Sequence, residues 1–492
     1  MLYDVNGVAG MKGVAGLACN QPILRVPHKG HLMSDTRDIV HLFASHAAGL
    51  RYVDLPEAAR EAAKKSLLDT LGVILAASGT EPAVRPVIEI VRETGGAPDC
   101  SLLAFGGKAP ALMAALANGA LAHCLDYDDQ TPWGQHCASS IVPAVLAMAE
   151  RRGGVSGQEL ITAIAIGQDL FARLRCNVGW MKDWNLSTVL AVFAATAAAG
   201  RVAGLTAAQI GHAMGIASMQ SSGIMEMVAG RGSDLRGMYA GFSAKGAVLA
   251  VLMAEKGVTG IDRMFEGQYG FFNTYFGGRY DRAAMIAGLG TDLLGSGTLY
   301  KRWPCVGTAH SHMKAAIDIM AENDLHPDDI AEIHLHVGDY HNLMCQPLAE
   351  RRAPATLADA KFSLPFLVSV AVVRRGMSVA DFSETALRDA AVLAVGAKTS
   401  LVADPALDWT LDLPPGRVEI VTKTGHRWLR QGQAVPGNAD NPMTWEDIAG
   451  KFRECALVAV TPVTDEKIAR TIAMVRALED LADAADVPRA LA

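Results

Sequence analysis

The chain is poor in aromatic residues, which make up 6% of its 492 residues, whereas half of the residues are hydrophobic. Its apolar segments consist largely of Ala, Leu, Val, Ile and Met, a composition that favours closely packed helices. A chain of this length exceeds the size at which a single hydrophobic core stops growing. We therefore expect an α-rich protein with two domains.

Paired cysteines and a secretory signal are also lacking. The eight cysteines are scattered without a Cys-x-x-Cys pair, which argues against a disulfide framework and against a zinc site. Residues 1–33 are Gly-rich and irregular, and they lack the charged segment and continuous apolar core of a signal peptide. We expect a flexible extension there, and a cytoplasmic protein with reduced thiols.

Neither nucleic acid nor a membrane is an expected partner. The net charge is −7 with charges interspersed, so no basic stripe is present to follow a phosphate backbone. The longest small-apolar run, residues 189–200, is shorter than the roughly 20 residues that span a bilayer, and we interpret it as a buried helix. Two enzyme classes are not supported either. No Gly-x-Gly-x-x-Gly follows a strand, which argues against a dinucleotide-binding site. The segment at 241–245 lacks the second glycine of a nucleophile elbow, which argues against a serine hydrolase.

Apolar residues recur at helical spacing from residue 34 to 288. The first long helix is predicted to begin at Pro56 and to end before Gly79. The other helices predicted in this part span 110–123, 140–152, 158–175, 188–203, 207–219 and 239–256. An all-α domain is therefore expected at 34–288.

The pattern changes near residue 289. Residues 330–337 and 417–422 alternate as strands do, while 310–323, 362–375 and 379–395 are predicted helices. Helical spacing returns at 444–456 and 465–484, and a late segment often completes a first domain. The predicted fold is mostly α, with residues 440–492 completing the helical domain and residues 289–439 forming a smaller α+β domain.

Three carboxylates and two histidines crowd the stretch from 118 to 136. Asp126, Asp128 and Asp129 cannot all be buried and ionised unless one pKa is raised or a cation is recruited. His136 is then a candidate general acid or base. The alternative is a solvent-exposed Asp-rich helix end with a chance histidine.

The helix that follows this stretch is predicted to begin at Ser139 or Ser140 as its N-cap. Its positive end would then lie at the loop that carries His136, where an anionic substrate is favoured.

A second candidate site is the segment 300–312, in which Lys301 and Arg302 precede a helix that begins near His310 and His312. The two cations could hold substrate carboxylates, and Lys301 could stabilise developing enolate charge. An ordinary surface turn is the alternative. His334 and His336 suggest a metal by their spacing, but they oppose the apolar face of a strand and should point to solvent, so no metal site is expected.

Five segments together resemble one enzyme family, across about residues 36–456. They are SLLDTLG at 66–72, ANGALAHCLDYDD at 117–129, GRVAGL at 200–205, KRWPC at 301–305 and DAKFSLPF at 359–366. The chain resembles the MmgE/PrpD family, which includes 2-methylcitrate dehydratase, cis-aconitate decarboxylase and iminodisuccinate epimerase. The resemblance implies a helical domain, a smaller α+β lid over the active site, cofactor-free proton transfer beside a carboxylate, and commonly a homodimer.

Carried over by position, the resemblance implies that Asp126, His136 and Lys301 are the catalytic residues. Several positions that lie next to the substrate in the relatives carry a different residue in this sequence. Gln130 stands in place of a threonine, Asn185 of a histidine, Arg236 of a lysine and Tyr239 of a histidine, and the usual His-Pro-Ser is His-Cys-Ala. With Arg302, these four residues are the expected substrate-binding set.

The function expected from the sequence is a cofactor-independent lyase, either a dehydratase or a decarboxylase, that acts on a small di- or tricarboxylic acid. An isomerase or epimerase of a small dicarboxylate is the first alternative. A non-catalytic carboxylate-binding protein is the second alternative. It is suggested by the replacements at Gln130, Asn185 and Tyr239, and two titratable groups of the usual site are replaced by groups whose pKa is far from neutral.

Overall fold

The structure is a computed structural model that describes residues 37–229 and 233–491. Helices dominate, and two small sheets complete the described part of the chain. This confirms the predicted fold class, mostly α with a smaller α+β part. The extension predicted at 1–33 lies outside the described residues.

The described part of the chain begins with a run of helices up to residue 286, in which one short hairpin is described. The helices are α1 Ile39–Gly49, α2 Glu57–Thr80, α3 Arg85–Thr94, α4 Ala111–His123, α5 Ala138–Arg152, α6 Gly157–Cys176, α7 Leu186–Val189, α8 Ala191–Val202, α9 Ala207–Ala217, α10 Glu226–Ala229, α11 Leu235–Glu255, α12 Phe271–Phe276 and α13 Arg282–Ile286. The hairpin strands are β1 Cys100–Ser101 and β2 Lys108–Ala109, paired antiparallel.

The second part combines helices with a four-stranded sheet. Its helices are α14 His310–Glu322, α15 Asp339–Leu343, α16 Leu348–Arg352, α17 Leu357–Lys361, α18 Leu364–Arg374 and α19 Ala390–Gly396. Its strands are β3 Ile330–Val337, β4 Thr399–Ala403, β5 Arg417–Thr422 and β6 Arg427–Gln431. The sheet order is β4-β3-β5-β6, with β3 and β4 parallel and the other neighbours antiparallel.

The chain returns to helices at its end, with α20 Trp445–Ala456, α21 Asp465–Arg476 and α22 Asp486–Leu491. One hydrophobic core includes buried residues from 39 to 300 and from 443 to 491, and a second includes buried residues from 303 to 435. The division into domains at 34–288 with 440–492, and at 289–439, stays a prediction, because residues 38–492 cluster as one compact unit.

One predicted helix is wrong. Residues 379–395 form two 3-10 turns, Val379–Asp381 and Ala386–Arg388, and only then the short helix α19. Side chains bond the local backbone instead of leaving it to a helix: Ser383 Oγ accepts from the Ala386 amide at 3.2 Å, and the Asp389 carboxylate accepts from Ala391 at 2.8 Å. Such local bonds compete with helix formation.

Helix α4 ends beside the start of α11 because the two helices approach through glycines. A Cβ on Gly119 would lie 2.8 Å from the Gly241 Cα, and a Cβ on Gly241 would lie 2.4 Å from the Leu116 carbonyl oxygen. The glycines thus permit backbone contact. This contact brings His123, at the end of α4, within a ring-centroid distance of 4.2 Å of Tyr239 on α11.

Among the described helices, α11 alone is long and apolar enough to cross a membrane by length and composition. Two thirds of its apolar stretch is buried against other parts of the protein, as in a core helix. The apolar run predicted to be a buried helix forms most of α8, whose residues are nearly all buried.

Gly79 lies inside α2 and not beyond its end, which corrects the predicted boundary. A Cβ at this position would lie 1.8 Å from the Val458 carbonyl oxygen. We expect Gly79→Ala to lower the free energy of unfolding by about 1–3 kcal/mol, because the clash is with backbone. Gly49→Ala is the matched control, since its Cβ would meet nothing within 4 Å. Urea unfolding measures both, and equal midpoints for the two variants would refute the contact.

Candidate active site

The acidic and histidine-rich stretch folds back on itself at the end of α4. The Asp126 amide donates to the His123 carbonyl at 2.7 Å, and Asp126 adopts a positive φ of 48°, a conformation that Asp tolerates better than most residues. Gln130 then pairs with Leu299 through two backbone hydrogen bonds of 2.9 and 2.8 Å. This bridge places Lys301, two residues further on, against the Asp126 loop.

Lys301, Asp126 and His136 form a connected chain of charged groups. The Lys301 ammonium donates to both the backbone oxygen and Oδ1 of Asp126, each at 2.7 Å. His136 Nε2 lies 3.2 Å from the same Oδ1, and its Nδ1 lies 2.5 Å from the Asp129 carbonyl oxygen. Because both ring nitrogens face acceptors, the doubly protonated imidazolium of His136 is the favoured form.

The charges in this chain reinforce one another. Burial alone would raise the pKa of Asp126, but the Lys301 ammonium and the His136 imidazole hold it well below its usual range. Burial would lower the pKa of His136, but the carboxylates of Asp128 and Asp126 outweigh both burial and the Lys301 charge and raise it. Asp126 is therefore ionised, and His136 is an acid of increased affinity for its proton.

His123 is in the opposite state. Its Nδ1 lies 2.9 and 3.0 Å from the two oxygens of Asp128, which orients the ring. Burial nevertheless lowers the pKa of His123, although Asp128 opposes the shift. The His123 and His136 ring centroids are 4.8 Å apart, so protonation of both would place two cations side by side.

Asp129 supports the loop and caps the next helix. Its Oδ1 accepts from the Ala138 amide at 3.1 Å. Helix α5 begins at Ala138 after Cys137, so the prediction of Ser139 or Ser140 as its N-cap is wrong. Burial and the neighbouring Asp128 carboxylate raise the pKa of Asp129 to about 7.

A cavity that opens to solvent lies beside these residues, and its non-atom space, open solvent included, is about 560 Å³. Its polar wall includes His123, Asp126, His136 and three residues of other helices, which are Ser187, Arg236 and Tyr239. Its apolar lining, called the apolar wall below, includes Trp180, Trp409, Leu413, Met225 and Val228.

Four of the five predicted substrate-binding residues, Gln130, Asn185, Arg236 and Tyr239, line this cavity. Asn185 also caps α7, since its Oδ1 accepts from the Ser187 amide at 2.9 Å.

Arg302 does not line the cavity. Its guanidinium lies 3.2 Å from Glu454 and is 42% exposed. This placement gives no support to its predicted role as a substrate ligand.

Lys301 is 1% exposed and lies behind Asp126, outside the cavity lining. It contacts Asp126, and its placement gives no support to direct contact with a ligand in the cavity.

Arg236 is the cationic side chain best placed to hold a carboxylate. Its guanidinium carbon lies 3.2 Å from the centroid of the Phe362 ring, and one terminal nitrogen donates to the Val228 carbonyl at 2.6 Å. Its Nε is buried and has no acceptor among the described residues. A buried donor without a partner is costly, and an anionic ligand in the cavity would satisfy it.

A second buried cation supports the site from α20. The Lys451 ammonium lies 2.7 Å from Asp69 Oδ1. It also donates to the backbone oxygens of Tyr127 and Lys301, at 2.6 and 3.0 Å. Residues from α2, from α20 and from both candidate segments are thus connected, and Lys451 holds the two segments together.

One group among the described residues could hold a metal ion. Ligand atoms of His123, Asp126, Asp128 and His136 lie within 4.8 Å of one another. The Lys301 ammonium and the His136 imidazolium already neutralise the two carboxylates, and a divalent ion would compete with that ammonium for Asp126 Oδ1. The donor set therefore fits proton transfer better than metal binding.

The other candidate histidines lie away from the cavity lining. His334 Nδ1 bonds Ser400 Oγ at 2.6 Å, and His336 is half-buried on the same strand. His310 and His312 are buried at the start of α14, and burial lowers the pKa of each to about 3.

Sequence reasoning missed the apolar wall. Trp180 and Trp409 lie in loops far apart in the chain, and no local pattern connects them. Tyr340, at the start of α15, was missed for the same reason. His123 was not among the predicted site residues, although its place five residues before Asp128 on a helix end was a usable signal.

Comparisons with known proteins agree with this architecture. The sequence pattern of the MmgE/PrpD N-terminal domain matches residues 41–283, and that of the MmgE/PrpD C-terminal domain matches residues 303–479. The chain belongs to the MmgE/PrpD family.

Several curated relatives in this family carry related names. A cis-aconitate decarboxylase-like protein of Aspergillus oryzae is 25% identical over 89% of this chain and 94% of its own length. Cis-aconitate decarboxylase of Aspergillus terreus is 26% identical over 88% of this chain and 90% of its own. The human cis-aconitate decarboxylase is 24% identical over 91% and 93%. The similarity extends through both family domains.

The Lys301–Asp126 pair of this MmgE/PrpD protein gives a stability prediction. Lys301→Met should lower the free energy of unfolding at neutral pH by about 3–5 kcal/mol, because it leaves a buried carboxylate without its counterion. Since the pKa of Asp126 is lowered in the folded protein, the pair stabilises the wild type above the unfolded pKa of about 3.9, and this advantage is lost as the pH falls further.

Lys314→Met is the control, because this lysine forms a half-exposed pair with Asp318 that should contribute at most about 1 kcal/mol. Urea unfolding across the pH range measures both variants. A loss for Lys301→Met no larger than that of the control would contradict the assigned role.

Proposed function

We propose that this protein is a cofactor-independent lyase that acts on a small carboxylic acid, with decarboxylation as the first candidate reaction. The main supporting observation is the pair of histidines on one cavity wall whose environments shift their pKa values in opposite directions. Such divergence between neighbouring titratable groups is typical of acid and base assignments. The curated relatives, which are named as decarboxylases, support the same class.

The proposed binding mode begins at Arg236, whose buried Nε can donate to a substrate carboxylate. Tyr239 lies on the same helix and stacks near His123, so the carbon next to that carboxylate would lie near both imidazoles. Charge-assisted hydrogen bonds from a guanidinium are among the stronger ones in proteins. Positioning of this kind supplies much of the advantage of an enzyme site.

In the proposed decarboxylation, the bond between the departing carboxylate and its carbon breaks, and carbon dioxide leaves. The electron pair that stays on the substrate takes a proton from His136 Nε2, which becomes neutral. Asp126 holds the imidazolium before the transfer, since its Oδ1 is 3.2 Å away. Lys301 keeps Asp126 ionised, and His136 regains its proton from solvent after product release.

His123 favours a second candidate, a dehydratase or isomerase. Its ring is oriented by Asp128 and its lowered pKa keeps it neutral, so it can accept a proton from carbon. A dehydratase would then lose a hydroxyl with a proton from His136, and an isomerase would return the proton elsewhere. Both reactions need a base, whereas decarboxylation needs only the acid.

The direct test is turnover by a His136→Gln variant. A panel of mono-, di- and tricarboxylates that includes cis-aconitate should contain an acid that the wild type converts. We expect His136→Gln to lower kcat by at least about a hundredfold, because it removes the general acid. His426→Gln, at an exposed histidine, is the matched control and should keep wild-type turnover.

Mass spectrometry of the products in deuterated water separates the reaction types. Loss of carbon dioxide indicates a decarboxylase, and loss of water indicates a dehydratase. Deuterium incorporation without any other change of formula indicates an isomerase. Full turnover by His136→Gln would refute the proposal. Binding of acids without any conversion by the wild type would support a non-catalytic protein.

The pH dependence of kcat gives a further prediction. Activity should fall as the pH rises through the raised pKa of His136, because the acid is lost. Asp128 raises the pKa of both histidines, so Asp128→Asn should move this alkaline limb to lower pH. Asp262→Asn, at an exposed carboxylate, should leave it in place. An unmoved limb in Asp128→Asn would show that His136 is not the titrating acid.

A further inference from the structure

We infer that the substrate is an acid anchored through a single carboxylate, with an apolar and preferably aromatic group at the other end of the cavity. The inference rests on the proposed function, since it concerns the same site. It departs from the di- or tricarboxylic acid that the family resemblance suggests. Two observations support it. One is the number of cationic side chains that line the cavity, and the other is the aromatic character of the apolar wall.

Arg236 is the one permanent cation among the described residues that line the cavity. Two other buried cations lie close by but are committed elsewhere. The Lys301 ammonium is held by Asp126 at 2.7 Å. The Arg175 guanidinium donates to the Trp133 carbonyl at 2.8 Å and also bonds Gln135.

Arg175 also lies behind the apolar wall. Its guanidinium carbon is 5.4 Å from the Trp180 ring and 5.9 Å from the Trp409 ring; both rings line the cavity, whereas Arg175 does not. Among the described lining residues, a second or third substrate carboxylate would therefore find only the His136 imidazolium, whose two nitrogens already face Asp126 Oδ1 and the Asp129 carbonyl oxygen. Transfer of an unpaired carboxylate from water into such a site is strongly unfavourable.

The apolar wall presents aromatic carbon to the cavity. The Trp180 indole N–H donates to the Trp184 carbonyl at 2.8 Å, and the Trp409 indole N–H donates to the Leu411 carbonyl at 3.1 Å. Both indole donors are thus used inside the protein. The two rings meet edge to face with centroids 5.4 Å apart, a geometry that aromatic groups favour.

The position of Trp409 depends on a glycine. A Cβ on Gly134 would lie 2.5 Å from the Trp409 ring and 3.3 Å from Leu413. The absence of a side chain there lets the indole pack against the loop that carries His136. The apolar wall therefore belongs to the same site as the proposed acid.

Tyr340 lines the cavity together with Arg236 and Trp409. Its ring centroid is 4.6 Å from that of Trp409. A small acid can therefore contact Arg236 with its carboxylate and Trp409 with an apolar substituent. Buried apolar area contributes about 25 cal/mol per Å², so the aromatic group should add affinity.

Calorimetric binding of two probe acids tests this inference. Hydrocinnamate carries one carboxylate and a phenyl group, and tricarballylate carries three carboxylates. We expect hydrocinnamate to bind the wild type at least about tenfold more tightly. Trp409→Leu should weaken hydrocinnamate by about tenfold and leave tricarballylate unchanged, whereas Arg236→Gln should weaken both by about tenfold.

Trp180→Leu provides a second aromatic variant in case Trp409→Leu fails to fold, and it should show the same selective loss. Trp428→Leu is the matched control, because this tryptophan is partly buried on β6 and packs on the second core. It should leave both affinities unchanged. Tighter binding of tricarballylate, no binding of hydrocinnamate, or equal weakening of both acids by the aromatic variants would overturn the inference.

The two proposals fail separately. Conversion of a tricarboxylate that depends on His136 would support the lyase and overturn the substrate class. Selective binding of hydrocinnamate without conversion of any acid would support the substrate class and contradict the lyase.

Discussion

The buried ion pair between Lys301 and Asp126 is the interaction on which the site depends. It joins two segments that lie 175 residues apart, and it keeps a carboxylate ionised where burial alone would neutralise it. Desolvation makes such pairs costly, and their value is often specificity and not net stability. Here the ionised Asp126 supplies an acceptor for His136. The Lys451 ammonium connects the two segments as well, because it donates hydrogen bonds to backbone oxygens of both.

The chemical asymmetry of the cavity follows from this constraint and from close helix packing. His136 lies between acceptors and holds its proton, while His123 lies at the buried end of α4 and stays neutral. The glycine contact between α4 and α11 brings Arg236 and Tyr239 to the same wall. The groups to which we assign the acid, base and anion-binding roles, His136, His123 and Arg236, thereby face one cavity.

Local sequence patterns predicted the long helices and the two central strands, because burial on one face gives a clear period. They failed at 379–395, where Ser383 and Asp389 bond the local backbone, and at the edge strands β4 and β6, which are short and only partly buried. Asp126 and His136 were identifiable because they share one loop. Lys301 was a candidate from its own segment, and the family resemblance grouped it with Asp126 and His136. Trp180 and Trp409 could not be predicted, since tertiary packing alone brings them together.

Neutron diffraction from deuterated crystals tests the central claim, the opposite protonation of the two histidines, most directly. At a pH near 6.5, the ordinary histidine pKa, the account predicts deuterium on both ring nitrogens of His136 and on Nδ1 alone of His123. A neutral His136, or a His123 with deuterium on both nitrogens, would contradict it.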